Sequence, residues 1–290
     1  MGRRDGKFVK NLDPLHIITP LLYPKRCDNE AFISERIDLT NINAFLEEKN
    51  RRLAEEQSGD EPVFKYTLFH LIVTAIMKTI WHRPKLNYFI ANKRIYERNE
   101  ISSAFVVKKA FSDHGAEALA VLTAEEGDNI DVVREKIRQQ VYSCRSDELD
   151  GSSESMDIVS KLPFFLVRFV AWSCCRLDVH GKVPKAFIES DPYYRTVVLS
   201  NLGSIQLKSG YHHLTNWGTN SIFVVIGEKK LRPIFEVDGS YTMRDTVDLG
   251  LTVDERLADG YYYSKSVRLL KKLLENPELL DRPIEEEVDY

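Results

Sequence analysis

The side chains best suited to proton transfer lie in the last hundred residues of this 290-residue chain. Ser200 ends an apolar run, the pair His212-His213 follows it, and Glu255 and Asp259 come about fifty residues after the serine. Hydroxyl, imidazole and carboxylate groups are the ones that proteins use to donate or remove protons during catalysis. The segments around residues 200 and 257 are therefore the candidates for a site.

Each of these residues also has a purely structural interpretation. Ser200 could simply end a strand, with Gly203 supplying the turn that follows. Glu255 could be a solvated carboxylate in a loop, and Asp259 could cap the last helix by accepting from its free N–H groups. If the two adjacent histidines lie on a strand, they point to opposite faces, so at most one of them can face a pocket.

The sequence lacks the short motifs of several other chemistries. It contains no G-x-G-x-x-G, no phosphate-binding-loop lysine motif and no nucleophile elbow. The spacing of its cysteines and histidines does not match that of metal ligands, so we expect no metal. The net charge of -4 and the pI near 6.0 argue against a general nucleic-acid binder.

Composition is that of an ordinary soluble globular protein, with 43% hydrophobic and 29% charged residues. The four cysteines are Cys27, Cys144, Cys174 and Cys175. They form no C-x-x-C pair, which favours a reducing cytoplasm. The apolar segment 162–177 contains Arg168 and Arg176 and falls short of the roughly 20 apolar residues that span a bilayer. We expect no membrane span, and a packed amphipathic helix in this segment rather than membrane-surface contact.

The apolar pattern predicts helices interspersed with strands. Helices are expected over 42–56, 66–81, 130–141, 162–177 and 264–274. Strands are expected over 31–38, 104–111, 118–122, 195–200, 221–226, 232–235 and 248–253. Helix 66–81 must end before Pro84, because the residue that precedes a proline is pushed out of helical geometry. This order indicates a mixed sheet with helices packed against it.

We expect one domain over residues 1–290. Three prolines, Pro14, Pro20 and Pro24, mark residues 1–30 as an extended arm. Residues 142–185 are interpreted as an insertion made of a polar loop and the apolar helix, and residues 281–290 as an acidic tail.

Four stretches of the chain, in order, resemble the catalytic domain of the 2-oxo-acid dehydrogenase dihydrolipoamide acyltransferases and the chloramphenicol acetyltransferases. They are residues 66–87, 198–203, 221–227 and 249–260. The family reads T-I-S-N-L-G where this chain has V-L-S-N-L-G, and L-S-D-H-R-x-x-D-G where it has L-T-V-D-E-R-L-A-D-G. The resemblance implies a two-layer α/β sandwich with a mixed sheet. It also implies a homotrimer with active sites between neighbouring subunits.

The resemblance also implies residue roles. In this family a histidine removes the proton from the thiol of coenzyme A, or from an acceptor hydroxyl, as that group attacks an acyl carbon. Carried over, Ser200, with Asn201 in the same motif, would donate a hydrogen bond to the oxyanion. Asp259 and Arg256 would form a structural pair. Glu255 occupies the position of the family's histidine.

Replacing histidine by glutamate changes the base. A carboxylate serves as a base near neutral pH only where its surroundings raise its pKa well above about 4.3. Loss of a positioned acid–base group typically costs about 10²–10⁴ in rate. One of the neighbouring histidines, His212 or His213, could substitute for the missing imidazole.

No tightly bound cofactor is expected, and coenzyme A or an acyl-coenzyme A is the co-substrate that the resemblance implies. Its phosphates would need cationic partners. Lys208, Lys229, Lys230 and Arg232 are candidates because they follow the serine motif in the sequence.

Two functions remain open. The first is a coenzyme-A-dependent acyltransferase that acts alone on a small acceptor with an altered base. The second is a trimeric scaffold or ligand-binding protein that kept the fold and lost the chemistry. The chain is too short for a lipoyl-bearing segment before the catalytic core, so we do not expect a role inside a dehydrogenase complex.

Overall fold

The strands of the molecule form two sheets, in a computed structural model that describes residues 3–56, 63–108, 117–145 and 161–290. The smaller sheet consists of β1 (Gly6–Phe8), β3 (Tyr88–Ala91) and β4 (Arg94–Arg98). The larger sheet consists of β2 (Glu30–Asp38), β5 (Ser102–Lys108), β6 (Glu117–Thr123), β7 (Val197–Asn201), β8 (Ile222–Ile226), β9 (Lys230–Phe235) and β10 (Tyr241–Asp254).

The larger sheet is mixed. Its strands lie in the order β2-β10-β8-β7-β5-β6, and β9 pairs with the first part of β10. Strand β7 runs parallel to both of its neighbours, β5 and β8, whereas the other pairs are antiparallel. The expected mixed sheet is therefore present.

Seven α-helices accompany the sheets in the described part of the chain. They are α1 (Pro14–Leu22), α2 (Thr40–Glu56), α3 (Leu68–His82), α4 (Ile130–Arg145), α5 (Phe164–Val179), α6 (Lys185–Ser190) and α7 (Gly260–Glu275). Apolar side chains of α2, α3, α4 and α7 pack with one face of the large sheet into the main core. Helices on one face of a mixed sheet are the two-layer α/β sandwich that the sequence predicts.

Alternation along β7 separates the two faces of the sheet. Val197 and Leu199 belong to the main core under the helices. Val198 belongs to a smaller cluster on the opposite face, together with Phe223 and Val225 of β8. Because successive strand residues point to opposite faces, Ser200 lies on the same face as Val198.

Local capping signals in the sequence act as expected. Helix α3 ends at His82, before Pro84. The carboxylate of Asp38 accepts from the amide of Thr40 at 2.8 Å at the start of α2. The carboxylate of Asp259 accepts from the amide of Tyr262 at 2.7 Å at the start of α7. Each carboxylate satisfies a helix N–H group that has no partner inside its helix.

The N-terminal arm is not simply extended, so that prediction is wrong. Residues Pro14–Leu22 form α1, with Asp13 as its N-cap accepting from the amides of Leu15 and His16. Proline suits the first helical position because its missing N–H would be unpaired there anyway. Pro20 lies inside the helix, which continues past it to Leu22.

The sequence interpretation also missed the hairpin of β3 and β4. Its two-residue turn, Asn92-Lys93, has φ angles of 47° and 59°. Positive φ at both central residues is typical of the turns that match the twist of paired strands. Glycine is the usual signal for such a turn, and here the signal was absent. The end of the predicted strand 104–111 and residues 146–160 of the predicted insertion lie outside the described residues.

Helix α5 forms where the apolar segment predicted a helix, but it is not packed as expected. Phe164 is 75% exposed, Phe165 69% and Trp172 63%. The helix is fastened at its C-terminal end, where Asp178 accepts from Arg3 through both its carbonyl and its carboxylate. Within the described chain, no helix is long and apolar enough to cross a membrane.

A buried histidine closes the first turn of α3. The amide of Thr67 donates to Nδ1 of His70 at 2.9 Å, in the arrangement of a capping box. Since Nδ1 accepts, the proton of the neutral ring is on Nε2. Burial, and secondarily the charge of Arg134, lower the pKa of His70 to about 4.

This shift makes the free energy of unfolding depend on pH. Between pH 6.5 and pH 4 the unfolded chain binds a proton at His70 more readily than the folded chain does, so stability falls as the pH is lowered. We expect the His70 contribution to cost roughly 2–3 kcal/mol between pH 7 and pH 4.5. In His70→Gln, which can still accept from Thr67, this part of the pH dependence should vanish in urea unfolding curves. His180→Gln, at an exposed position, is the matched control. An unchanged pH dependence in His70→Gln would show that His70 is not responsible.

Candidate functional site

Strands β5 and β7 separate before either of them ends. Their last paired residues are Phe105 and Leu199, yet β5 continues to Lys108 and β7 to Asn201. An open cleft of about 730 Å³ lies at this separation. Its walls include Thr67, Phe69, Phe105, Leu199, Ser200, Ser204, Ile205, His212 and Phe223. We call it the Ser200 cleft.

Ser200 lies on the wall formed by β7, level with Val225 of β8. It is half-buried, and its hydroxyl has no hydrogen-bond partner among the described residues. The strand then turns sharply through a 3-10 turn, Leu202–Ile205. At Gly203 a Cβ would lie 2.5 Å from the carbonyl oxygen of Gly227, so only glycine fits this close approach. Ser200 thus lies on the cleft wall with a hydroxyl that is unbonded in the described chain.

The wall opposite β7 and the bottom of the cleft come from α3 and β5. The rings of Phe69 and Phe105 meet edge to face at 5.1 Å between centroids. His70 also lines the cleft, but it is only 3% exposed, and its Nδ1 already accepts from Thr67. Sequence interpretation missed these contributions, since nothing in the 66–81 pattern indicates which side of a buried helix borders a cavity.

One of the two candidate histidines lines the Ser200 cleft. His212 stacks on Phe223 with 4.0 Å between ring centroids and 12° between ring planes. Its Nδ1 lies 2.8 Å from the carbonyl oxygen of His213. His213 is exposed, and its own Nδ1 lies 2.9 Å from the carbonyl oxygen of Leu214. The two histidines lie in an irregular loop rather than on a strand, but only one of them borders the cleft.

The loop that carries these histidines, residues 206–218, is fastened to the sheet. Ser209 donates through its hydroxyl to the carbonyl of Val225 at 3.2 Å. Gly250 leaves room for the loop, because a Cβ there would lie 2.0 Å from the carbonyl oxygen of Gly210. Farther along, the amide of Leu214 donates to the carboxylate of Glu30 at 2.5 Å. We call residues 206–218 the covering loop.

A second open cleft, of about 740 Å³, adjoins the first. The two share Thr67, Phe69, Asn201 and Ser204. Asn201, the last residue of β7, therefore stands between them. Lys229 lies on the wall of the second cleft, with its Nζ 3.4 Å from Oδ1 of Asn43.

The other predicted phosphate-binding cations differ in their surroundings. Lys230 pairs with Glu228 at 2.9 Å, and Arg232 pairs with Asp248 at 2.7 Å. Lys208 is exposed on the covering loop and contacts no carboxylate in the described part of the chain. Lys208 and Lys229 therefore keep their charges available, whereas the other two are neutralised locally.

Glu255 lies far from Ser200 within one chain. Gly250 of β10 pairs with Val225, which in turn pairs with Ser200. Glu255 comes five residues after Gly250, or about 16 Å farther along the strand direction. Its side chain is exposed, while its amide donates to the carbonyl of Asn29 at 3.1 Å. A single chain does not bring the two predicted catalytic residues together.

Arg256 does not pair with Asp259 as the sequence interpretation held. It forms a bidentate pair with Asp254, with distances of 2.8 Å and 2.6 Å, and all of these charged groups are buried. Asp254 ends β10 and Arg256 lies in the turn that follows, where its amide also donates to the Asp254 carboxylate at 3.3 Å. Arg26 adds a second guanidinium at 3.7 Å from Asp254.

One known protein family matches part of the chain. A family model described as the 2-oxoacid dehydrogenases acyltransferase catalytic domain matches residues 189–281. That segment contains β7 to β10 and α7, and therefore both predicted site motifs. Comparison with curated proteins gives no match.

Solved structures resemble nearly the whole chain. A probable dihydrolipoamide acetyltransferase from Listeria monocytogenes has a TM-score of 0.60 at 15% identity, covering 93% of this chain and 95% of its own. Dihydrolipoamide acetyltransferase from Azotobacter vinelandii has a TM-score of 0.59 at 13% identity, covering 94% of each chain. A chloramphenicol acetyltransferase has a TM-score of 0.57 at 13% identity, covering 93% of this chain and 99% of its own.

The resemblance that the four motifs indicated is confirmed at the level of fold and of the C-terminal sequence pattern. The chain has the chloramphenicol acetyltransferase-like fold, and its residues 189–281 match the catalytic domain of the 2-oxoacid dehydrogenase acyltransferases.

Proposed function

We propose that the protein transfers an acyl group from a coenzyme A thioester to a small acceptor in the Ser200 cleft. The observation that carries this proposal is the hydroxyl of Ser200, which has no partner in the described chain and stands where β5 and β7 separate. A fixed donor at the mouth of a cavity can hold the negative oxygen that forms when a thioester is attacked. The Azotobacter enzyme, in which a serine and a histidine have been investigated for catalytic roles, has the same fold.

The walls of the cleft suit an acyl chain or the pantetheine arm of coenzyme A. Phe69 and Ile205 present apolar surface, Phe105 and Phe223 border the cleft but are almost fully buried, and Ser200 is one of the few hydroxyl groups in the lining. Sites for small molecules commonly combine an apolar lining with a few placed polar groups.

Binding of the coenzyme A phosphates is proposed for Lys208 and Lys229. Lys229 lies on the wall of the second cleft, and Lys208 lies on the covering loop. Both are exposed, and neither pairs with a carboxylate in the described chain. Lys230 and Arg232 are weaker candidates, because a phosphate would have to displace the carboxylates of Glu228 and Asp248.

The predicted base, Glu255, can serve this cleft only across a subunit boundary. A trimer would supply such a boundary, in keeping with the expectation that the site lies between subunits. The cubic core of a pyruvate dehydrogenase complex has this fold, with a TM-score of 0.54 at 13% identity, and cubic symmetry contains threefold axes. On this basis we propose a homotrimer with Ser200 facing the partner subunit's Glu255.

The alternative function, a trimeric scaffold or ligand-binding protein without chemistry, rests on one observation. The residue at the family's base position is an exposed carboxylate rather than an imidazole. In that case the cleft would bind a ligand without turning it over.

The cell compartment proposed is the cytoplasm. Cys27, Cys174 and Cys175 are thiols in the structure, and unbridged cysteines suit a reducing compartment.

The first test concerns Ser200. With acetyl-coenzyme A and a panel of amines, alcohols and thiols, we expect release of free coenzyme A thiol above background. Ser200→Ala should lower kcat by about 10²–10³, the usual effect of removing one oxyanion donor. Ser264→Ala, on the exposed side of α7, is the matched control. Absence of both thiol release and calorimetric coenzyme A binding would refute the proposal.

The second test separates the enzyme from the scaffold. We expect the natural protein to be active, because the cleft retains its hydroxyl donor. If it is inactive on every acceptor and Glu255→His creates activity, the protein is a scaffold that lost its base. The measurement is thiol release by both proteins at equal concentration.

The third test concerns assembly. Light scattering should give a mass of about 100 kDa, three times the 33.5 kDa of one chain. A mass of one chain at micromolar concentration would exclude a site shared between subunits, and with it any role for Glu255 at Ser200.

A further inference from the structure

We propose that His212, in the same chain as Ser200, is the general base of the transfer reaction. The proposal rests on the function proposed above and specifies which residue takes the proton. It differs from the role implied for Glu255 in both residue and subunit.

Position is the first support. His212 stacks on Phe223 of β8. In the register of β7 and β8, Val198 pairs with Phe223 and Ser200 pairs with Val225. Phe223 is therefore a diagonal neighbour of Ser200. The ring therefore lies over the sheet face from which Ser200 projects. Both residues border the Ser200 cleft, so a substrate that fills the cleft contacts both of them.

The tautomer is the second support. Nδ1 of His212 lies 2.8 Å from a carbonyl oxygen, and a carbonyl can only accept. Nδ1 must therefore carry the proton, which leaves a lone pair on Nε2 of the neutral ring. A base for thiol or hydroxyl deprotonation needs such a lone pair.

Rigidity is the third support. Stacking at 4.0 Å fixes the plane of the imidazole, and the covering loop is fastened to β8 by Ser209 and to β2 by Glu30. A catalytic group held by its own packing does not have to be ordered when the substrate binds.

The other cleft histidine cannot take this role. Nδ1 of His70 accepts from the amide of Thr67, and its Nε2 is enclosed by protein, so no lone pair is available to a substrate. His213 is exposed outside the cleft. Ionisable groups near His212 are His213, stacked at 4.6 Å, Glu30 beside Leu214, and Lys65 and Lys108 on the cleft wall.

The reaction then balances within one chain. Nε2 of His212 removes the proton of the acceptor thiol or hydroxyl while that atom bonds to the thioester carbon. The carbonyl oxygen becomes an oxyanion and accepts from the Ser200 hydroxyl. Collapse of this intermediate breaks the carbon–sulfur bond, and the imidazolium returns its proton to the coenzyme A thiolate that leaves.

Four variants of the protein test the assignment. His212→Asn keeps an amide that can donate to the His213 carbonyl but has no basic nitrogen, and His212→Gln is the second variant in case the first folds poorly. His180→Asn, at an exposed position after α5, is the matched control. Glu255→Gln tests the competing base. Acetyl-coenzyme A and the best acceptor from the panel are the substrates.

We expect kcat to fall by about 10²–10⁴ in His212→Asn, with coenzyme A affinity by calorimetry and melting temperature near those of the natural protein. The acid limb of the pH–rate profile should disappear, and added imidazole should restore part of the rate. His180→Asn should stay within about threefold of the natural rate.

Two results overturn the assignment in different ways. A rate within tenfold of the natural one in His212→Asn, with a large loss in Glu255→Gln, assigns the proton to the partner subunit's Glu255 and leaves the transferase function intact. No transfer by the natural protein on any acceptor removes the function and the assignment together.

Discussion

The loss of pairing between β5 and β7 beyond Phe105 and Leu199 is the constraint on which the site depends. Backbone groups outside a sheet need other partners, and the segment after β7 supplies its own by turning. The amide of Gln206 donates to the carbonyl of Gly203, and that of Leu207 to the carbonyl of Leu202. The turn diverts the chain away from β5, so the sheet opens and the gap remains available as a cleft.

Local chemistry was predictable from the sequence, and long-range packing was not. The cap formed by Asp259 and the strand that contains Ser200 follow from neighbouring residues alone. Asp13 before Pro14 is an equally local helix signal. The prediction of an extended arm was wrong because it treated the three prolines as helix breakers. The pairing of Arg256 with Asp254 could not be inferred from strand alternation, because Arg256 lies in the turn after β10. The position of His212 could not be inferred either, because it depends on where residues 206–218 cross the sheet.

Sequence spacing gave the order of the motifs but not their distance. The segments around Ser200 and Glu255 lie on strands β7 and β10, separated by β8. Strand β8 is parallel to β7 and antiparallel to β10, so β7 and β10 run in opposite directions. Their C-terminal ends therefore lie at opposite ends of the sheet. A pair of motifs can therefore be correctly recognised and still belong to different sites of one subunit.

Buried contacts hold the backbone of the turn that carries Glu255. Asp254 is buried between Arg256 and Arg26, and its carbonyl accepts from the hydroxyl of Tyr263 at 2.7 Å. Breaking a buried pair of this kind typically costs about 3–5 kcal/mol, so the backbone on either side is firmly held. The Glu255 side chain, in contrast to its two neighbours, is exposed. A fixed backbone with a free carboxylate is well suited to meeting a group on another molecule, whichever residue takes the proton at Ser200.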